Sequence, residues 1–291
     1  MTANLFLIAA PRAGSTQLAR WLATHPEIAL SPVKEPNHFS AHEFPEDYVR
    51  RSHLNDIDPA RYVAAGCPRP AQFAVFREHA LYTRLFARLG TRWRIDASTS
   101  YLACPEAPAL IRTASPAAHA ITLTRDPIDR AISHYRLAVR TGRTRRTLAA
   151  ELQDERSGRT PLPACFLLRP SRQAEGVARV AACFGPDRHL MLRFEELVTD
   201  PAEVLSRVSG FLGLDPGGFD LTVEARNAAA APRFPAINAM LLRSGAKTRL
   251  RRVLPPDLKR PLKRVYFSSA RPIPVTDAER NALAAALEDR S

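Results

Sequence analysis

The sequence predicts an α/β fold: a single domain with a central, mostly parallel sheet of about five strands flanked by helices. Three observations carry this. Short apolar runs without alternation, such as Leu5–Ile8 and Ala120–Leu123, read as strands buried on both faces. Segments with apolar residues at helical spacing follow them, as in a chain of strand–helix–strand units. The 291 residues, 45% of them hydrophobic, suffice for one large core.

The first strand, Leu5–Ile8, ends at Pro11. Gly14 then permits a tight, P-loop-like turn, and Ser15 and Thr16 open a helix with Leu18, Trp21 and Leu22 on one face. Ile28–Leu30 is a second strand. Pro32 and Pro36 bracket a rigid loop carrying Lys34 and Glu35. Residues 40–78, interrupted by Pro45, Pro59, Pro68 and Pro70, read as an irregular excursion over the carboxyl edge of the sheet, where open α/β folds bind ligands. Tyr82, Leu85, Phe86 and Leu89 make a helix stopped by Gly90. Trp93–Asp96 is a strand, and a short helix lies near Glu106–Arg112.

Strand Ala120–Thr124 runs into Asp126, a good N-cap, and Pro127, suited to the first helical position. Ile128, Ile132, Tyr135 and Val139 form the buried face of that helix, and Gly142 ends it. A basic, loop-rich region reaches about Arg172. A helix on Val177, Val180, Ala181 and Phe184 follows, then strand Leu190–Phe194. Asp200-Pro201 caps a helix on Val204, Leu205, Val208 and Phe211. The last helix opens with a capping box, Thr276 to Glu279, and buries Leu283 and Leu287. One domain is expected over 1–291, with a core over 1–224 and a basic flap plus closing helix over 225–291.

A formal charge of +13 points to an anionic ligand or partner. Between Arg243 and Arg271 there are ten Lys/Arg against one acidic residue, Asp257, which makes this stretch either a solvated surface or a basic flap over the ligand. Zinc-finger spacing, RNP-like aromatic strands and basic heptads are absent from the sequence, so specific nucleic-acid binding is not expected. Cys67, Cys104, Cys165 and Cys183 lack CxxC pairing and read as thiols in a reducing compartment, with no metal expected. No apolar run approaches membrane-spanning length and no charged segment precedes LFLIAA, so a cytoplasmic location is expected.

Strand, Gly-containing loop and helix N-terminus together aim backbone N–H groups at one point where an anion can bind. A βα turn with a helix-capping Ser is the plainer reading of the same residues. A Walker A loop fits poorly, because Ala9 replaces its first Gly and Ser15 its Lys. The cation sits inside the loop, at Arg12.

Three separated pieces, PRAGST, VKEPNHF and LTRDPIDRAISHYR, together strongly resemble the sulfotransferases that use 3′-phosphoadenosine 5′-phosphosulfate (PAPS). The likeness is to the heparan-sulfate-type branch and its bacterial relatives, and it covers about residues 4–214. It implies a donor, PAPS, a product, 3′,5′-ADP, no metal, and a hydroxyl or amine acceptor on a carbohydrate or small molecule. The 5′-phosphosulfate loop corresponds to Arg12, Ala13, Gly14, Ser15, Thr16 and Gln17, although most members carry Lys where this chain has Arg12. Arg125 and Ser133, eight positions apart, correspond to the 3′-phosphate motif.

Glu35 corresponds to the carboxylate that takes the acceptor proton in the heparan-sulfate branch, and His38 resembles the His base of the cytosolic branch. Both remain candidates. Lys34 is expected to contact the sulfonate or the acceptor, and Asp96 and Ser98 belong to a segment, DASTSYL, that resembles the one lining the family's acceptor cleft. Where the family often has Gly-x-Tyr, this chain has Ser171-Arg172-Gln173, leaving Arg172 or Arg233 as substitute phosphate contacts. A non-catalytic nucleotide-binding protein on the same fold is the alternative from another class, and a nucleotide kinase is disfavoured by the Walker mismatch.

Overall fold

The computed structural model describes residues 1–223, 230–232, 267–269 and 273–289. The central sheet has five strands: β1 (Leu5–Ala9), β2 (Ile28–Leu30), β5 (Trp93–Asp96), β6 (His119–Thr124) and β7 (His189–Arg193). Their spatial order is β2-β5-β1-β6-β7, and every pairing is parallel. All five residues of β1 are buried, as the unalternating run requires. From β1 the chain visits β2 and β5 on one side, then crosses to β6 and β7 on the other. The crevice that such a reversal opens lies at the carboxyl end of β1.

Ser15–Leu22 forms α1, with Leu18 and Leu22 buried against the sheet. The expected mid-chain helix is α6 (Pro127–Thr141); Asp126 accepts from the Asp129 N–H, and Gly142 closes the helix in the left-handed region. Before it lies α5 (Ala107–Ala114), and after it come α8 (Gln173–Phe184), α9 (Phe194–Thr199) and α10 (Pro201–Leu212). The closing helix, α11 (Asp277–Glu288), carries its capping box and packs with α6 and α7 (Leu148–Arg156) around Ile132, Tyr135, Leu152 and Leu283. An Arg280–Asp129 ion pair of 2.9 Å also joins α11 to α6. Among the described residues no helix is long and apolar enough to cross a membrane.

Several expectations need correction: the loop-rich region before Arg172 contains α7, Phe194 opens α9 instead of ending β7, and three more lie in the first hundred residues. Lys34 and Glu35 do not ride a loop: Val33–Glu35 is a strand, β3, paired in parallel with β4 (Ala71–Phe73). Residues 40–78 are not irregular, since they hold α2 (Glu46–Arg51), α3 (Pro59–Ala64) and β4. The prolines start elements there instead of preventing them, as Pro59 does at the first position of α3. The helix expected up to Leu89 is shorter, α4 (His79–Arg84), and continues as turns. The basic stretch 243–271 lies outside the described residues apart from Phe267–Ser269, which pairs antiparallel with Ala230–Pro232.

Candidate active site

The loop after β1 is shaped by two residues with positive φ. Gly14 has φ 89°, and a Cβ there would come within 2.9 Å of the Phe194 ring and 3.2 Å of Leu197. Only glycine meets both constraints. Arg12 has φ 74° without being glycine, a conformation held because its carbonyl accepts from Arg125 Nη1 at 3.0 Å. The N–H groups of Ser15 and Thr16, which open α1, have no helical carbonyl one turn earlier to bond, and both residues line the cleft at the sheet's carboxyl edge. They supply the partial positive charge of an anion site.

Arg12 is driven below its ordinary pKa first by burial, then by Arg140 and Arg125, and like charges held this close call for an anion between them. Its Nε donates to Ser133 Oγ at 3.3 Å. Arg125 lies 4.3 Å over the Phe194 ring, and the side-chain amide of Gln173 binds its backbone twice: Arg125 N–H to Oε1 at 2.9 Å, Nε2 to Arg125 carbonyl at 2.7 Å. The two motifs, more than a hundred residues apart, therefore meet in one place.

Glu35 ends β3 beside α1. Its Oε1 accepts from Lys34 Nζ at 3.0 Å and Gln72 Nε2 at 2.8 Å, and its Oε2 accepts from Thr99 Oγ1 at 2.8 Å. The buried Lys34 ammonium also reaches Ser15 Oγ at 3.4 Å, so the lysine missing from the loop comes from the neighbouring strand. Arg12, Ser15, Thr16, Glu35, Thr99, Ser100 and His134 line one cleft of about 480 Å³. Its outer part is walled by Phe44 and Phe73, packed edge to face at 5.9 Å, and by Leu162.

Several expected site residues lie elsewhere. His38 stacks on Tyr82 at 4.4 Å and bonds the Phe76 carbonyl and His79, away from the cleft lining. Burial lowers its pKa. Arg172 points to the end of α11, where its Nη2 donates to the Asp289 carbonyl at 3.2 Å. Gln17 Nε2 donates to the Val223 carbonyl at 2.8 Å. Arg233 lies outside the described residues.

Asp96 and Ser98 sit beneath the cleft wall and not on it, both fully buried. Asp96 accepts from Tyr82, Tyr101 and both the N–H and hydroxyl of Ser98, and Ser98 Oγ in turn accepts from the Asn37 N–H. This network fixes Asn37, which holds φ 51° and bonds the carbonyl of Glu35 at 2.7 Å.

Burial outweighs these hydrogen bonds and raises Asp96 from 3.8 to about 6. The native state therefore binds the proton more tightly than the unfolded chain. Its contribution is present below the unfolded value and is lost as pH rises through about 6. Relative to Asp96→Asn, wild-type stability should fall by as much as about 3 kcal/mol between about pH 4 and about pH 7, read from urea melts. Parallel stability curves for the two proteins would mean that Asp96 does not titrate in this range.

Reasoning from sequence missed four supporting residues: Phe194, Gln173, Arg130 and His134. Arg130 is fully buried, donating from Nε to Ser171 Oγ at 2.8 Å and from Nη1 to His134 Nδ1 at 3.2 Å. Burial first, then Arg130, Arg143 and Arg12, hold His134 well below its ordinary value. The ring is neutral, and with Nδ1 accepting, its proton sits on Nε2. The one available signal was the spacing of Arg130 and His134, one helical turn apart on α6.

The sequence model of the Sulfotransferase family matches residues 4–217. Nodulation protein NoeE of Sinorhizobium fredii (strain NBRC 101917 / NGR234) is 29% identical over 227 residues, covering 73% of this chain and 50% of that protein. The chain thus spans about half the length of that curated relative. A sulfotransferase crystal structure from Alicyclobacillus acidocaldarius aligns with a TM-score of 0.64 and 26% identity, over 91% of this chain and 96% of that one. The sulfotransferase domain of the Synechococcus PCC 7002 olefin synthase aligns with a TM-score of 0.49 and 21% identity, over 84% of this chain and 95% of that one.

Proposed function

The chain belongs to the sulfotransferase family, and from that premise we propose that it moves the sulfuryl group of PAPS to a hydroxyl or amine of a carbohydrate or small-molecule acceptor, releasing 3′,5′-ADP. One observation carries the reading. Arg12 and Arg125 come from separate motifs, meet at the N-terminus of α1, and are depressed by burial, while Glu35 shares the cleft with Arg12. A ligand with anionic groups at both ends suits such a pair of clamps.

In this reading Arg12, Ala13, Gly14, Ser15 and Thr16 bind the 5′-phosphosulfate, and Arg125 with Ser133 takes the 3′-phosphate. Glu35 accepts the acceptor's proton as the new bond to sulfur forms and the bond from sulfur to the phosphate oxygen breaks. Arg12 and the first N–H groups of α1 stabilise the negative charge that grows on the departing oxygen. Lys34 orients Glu35 and steadies Ser15. The Nε2–H of His134 and the hydroxyls of Thr99 and Ser100 offer contacts to sulfonate and acceptor oxygens. Asp96 and Ser98 act indirectly, by holding the turn at Asn37.

Phosphoryl transfer from ATP is the weaker reading, because the lysine that reaches the loop among the described residues, Lys34, is engaged by Glu35 at 3.0 Å. Supplying sulfur-labelled PAPS and γ-labelled Mg-ATP in parallel to a panel of sugars, phenols and aliphatic alcohols tests the assignment. Label should pass from PAPS alone, with one 3′,5′-ADP released per sulfated product. Transfer from ATP alone would reverse the assignment, and tight PAPS binding with no product across the panel would favour a non-catalytic binder.

A further inference from the structure

The 3-10 turn His38–Glu43 follows Glu35 and Asn37 and brings His42 against the segment that leads from Ser100 into α5. There His42, Glu43, Cys104 and Glu106 present potential ligand atoms within 4.8 Å of one another. Three form a tight triangle. His42 Nε2 lies 3.3 Å from Glu106 Oε2 and 3.7 Å from Cys104 Sγ, and Sγ lies 3.5 Å from Oε2.

The size of that triangle is informative. A tetrahedral Zn²⁺ with bonds of about 2.0–2.1 Å to N and O and about 2.3 Å to S spans edges of about 3.4 Å for N···O and about 3.5 Å for S···N or S···O. Each observed edge matches to within about 0.2 Å. Charge matches too: one thiolate and one carboxylate neutralise a divalent cation, and the imidazole adds a neutral donor. Glu43 is taken by both oxygens into an ion pair with Arg169, which leaves the fourth position to water.

We propose that His42 Nε2, Cys104 Sγ and Glu106 Oε2 bind one divalent cation of borderline softness, with Zn²⁺ as the type. The cation displaces the thiol proton, which leaves to solvent, and no redox change is involved. None of the three side chains takes part in the proposed sulfuryl transfer. The site would cross-link the turn that follows Asn37 to the segment that follows Ser100, stiffening two walls of the cleft from outside.

Cobalt is a direct probe of this site. Full-length protein stripped with a chelator is titrated with Co²⁺ and followed by absorbance, then back-titrated with Zn²⁺. One equivalent should produce a thiolate-to-cobalt charge-transfer band and tetrahedral visible bands, which Zn²⁺ then erases. Cys104→Ser should abolish the charge-transfer band, and His42→Ala should weaken Zn²⁺ binding at least about 100-fold, the upper end of what even outer-shell changes cost. His42 is half exposed, so its variant tests the site without threatening the fold. Binding of 3′,5′-ADP by His42→Ala should match wild type, which separates this site from the transfer reaction. Absence of the charge-transfer band, or equal Zn²⁺ uptake by wild type and both variants, would overturn the proposal and leave an ordinary hydrogen-bonded cluster.

Discussion

Glu35→Gln lowers turnover by at least about 10²-fold, the low end for a lost general base, while binding of 3′,5′-ADP stays within a few-fold of wild type. The amide keeps the shape and an acceptor for Thr99 but cannot take a proton from the attacking group. It also removes the charge that pairs Lys34, a buried ammonium, so some loss of stability is expected as well. A thermal melt taken beside the rate separates the two effects. His38→Ala should leave turnover nearly unchanged, since that ring is committed to Tyr82, His79 and the Phe76 carbonyl. A Glu35→Gln enzyme with near-normal turnover, alongside an inactive His38→Ala, would move the base to His38.

Arg12→Ala should cost about 10²–10³ in turnover, comparable to removing one donor from an oxyanion site. Its interaction strengthens as charge develops on the leaving oxygen, so affinity for the desulfated product falls much less. The φ of 74° supplies an internal control. Alanine at a left-handed position carries a conformational penalty of about 1 kcal/mol that glycine avoids. Arg12→Gly should therefore be the more stable of the two variants and yet equally slow. Recovery of activity by Arg12→Gly would show that the alanine variant fails through loop geometry and not through lost charge.

How far the sequence foretells these groups depends on how local their causes are. The apolar run of β1, the Asp126-Pro127 start of α6 and the capping box at Thr276 state their structure within a few residues, and the structure has all three. β3 and β4 were invisible. Each is three residues long, and β3 lies between prolines and gains its partner only after the chain has run through α2 and α3. α7 hides in a stretch whose sequence looks like loop, because its amphipathic pattern is weak and its face is completed by α11, more than a hundred residues later.

The site divides in the same way. Arg12, Gly14, Arg125 and Ser133 belong to compact motifs and converge in space. The resemblance puts Asp96 and Ser98 on the cleft. β5 is an inner strand, however, so its last side chains turn into the core and Thr99 and Ser100 reach the cleft instead. The hold of Gln173 on the Arg125 backbone and the packing of Phe194 under both Gly14 and Arg125 arise from tertiary contact alone. No spacing in the sequence encodes them.

The central claim is that two motifs form one site for a nucleotide phosphorylated at both ends. Calorimetric titration of 3′,5′-ADP and 5′-AMP into wild type, Arg125→Ala and Ser133→Ala tests it directly. The account predicts that wild type prefers 3′,5′-ADP strongly and that each variant loses affinity for 3′,5′-ADP far more than for 5′-AMP, collapsing the preference. Wild type binding both nucleotides alike, or variants weakening both equally, would contradict it.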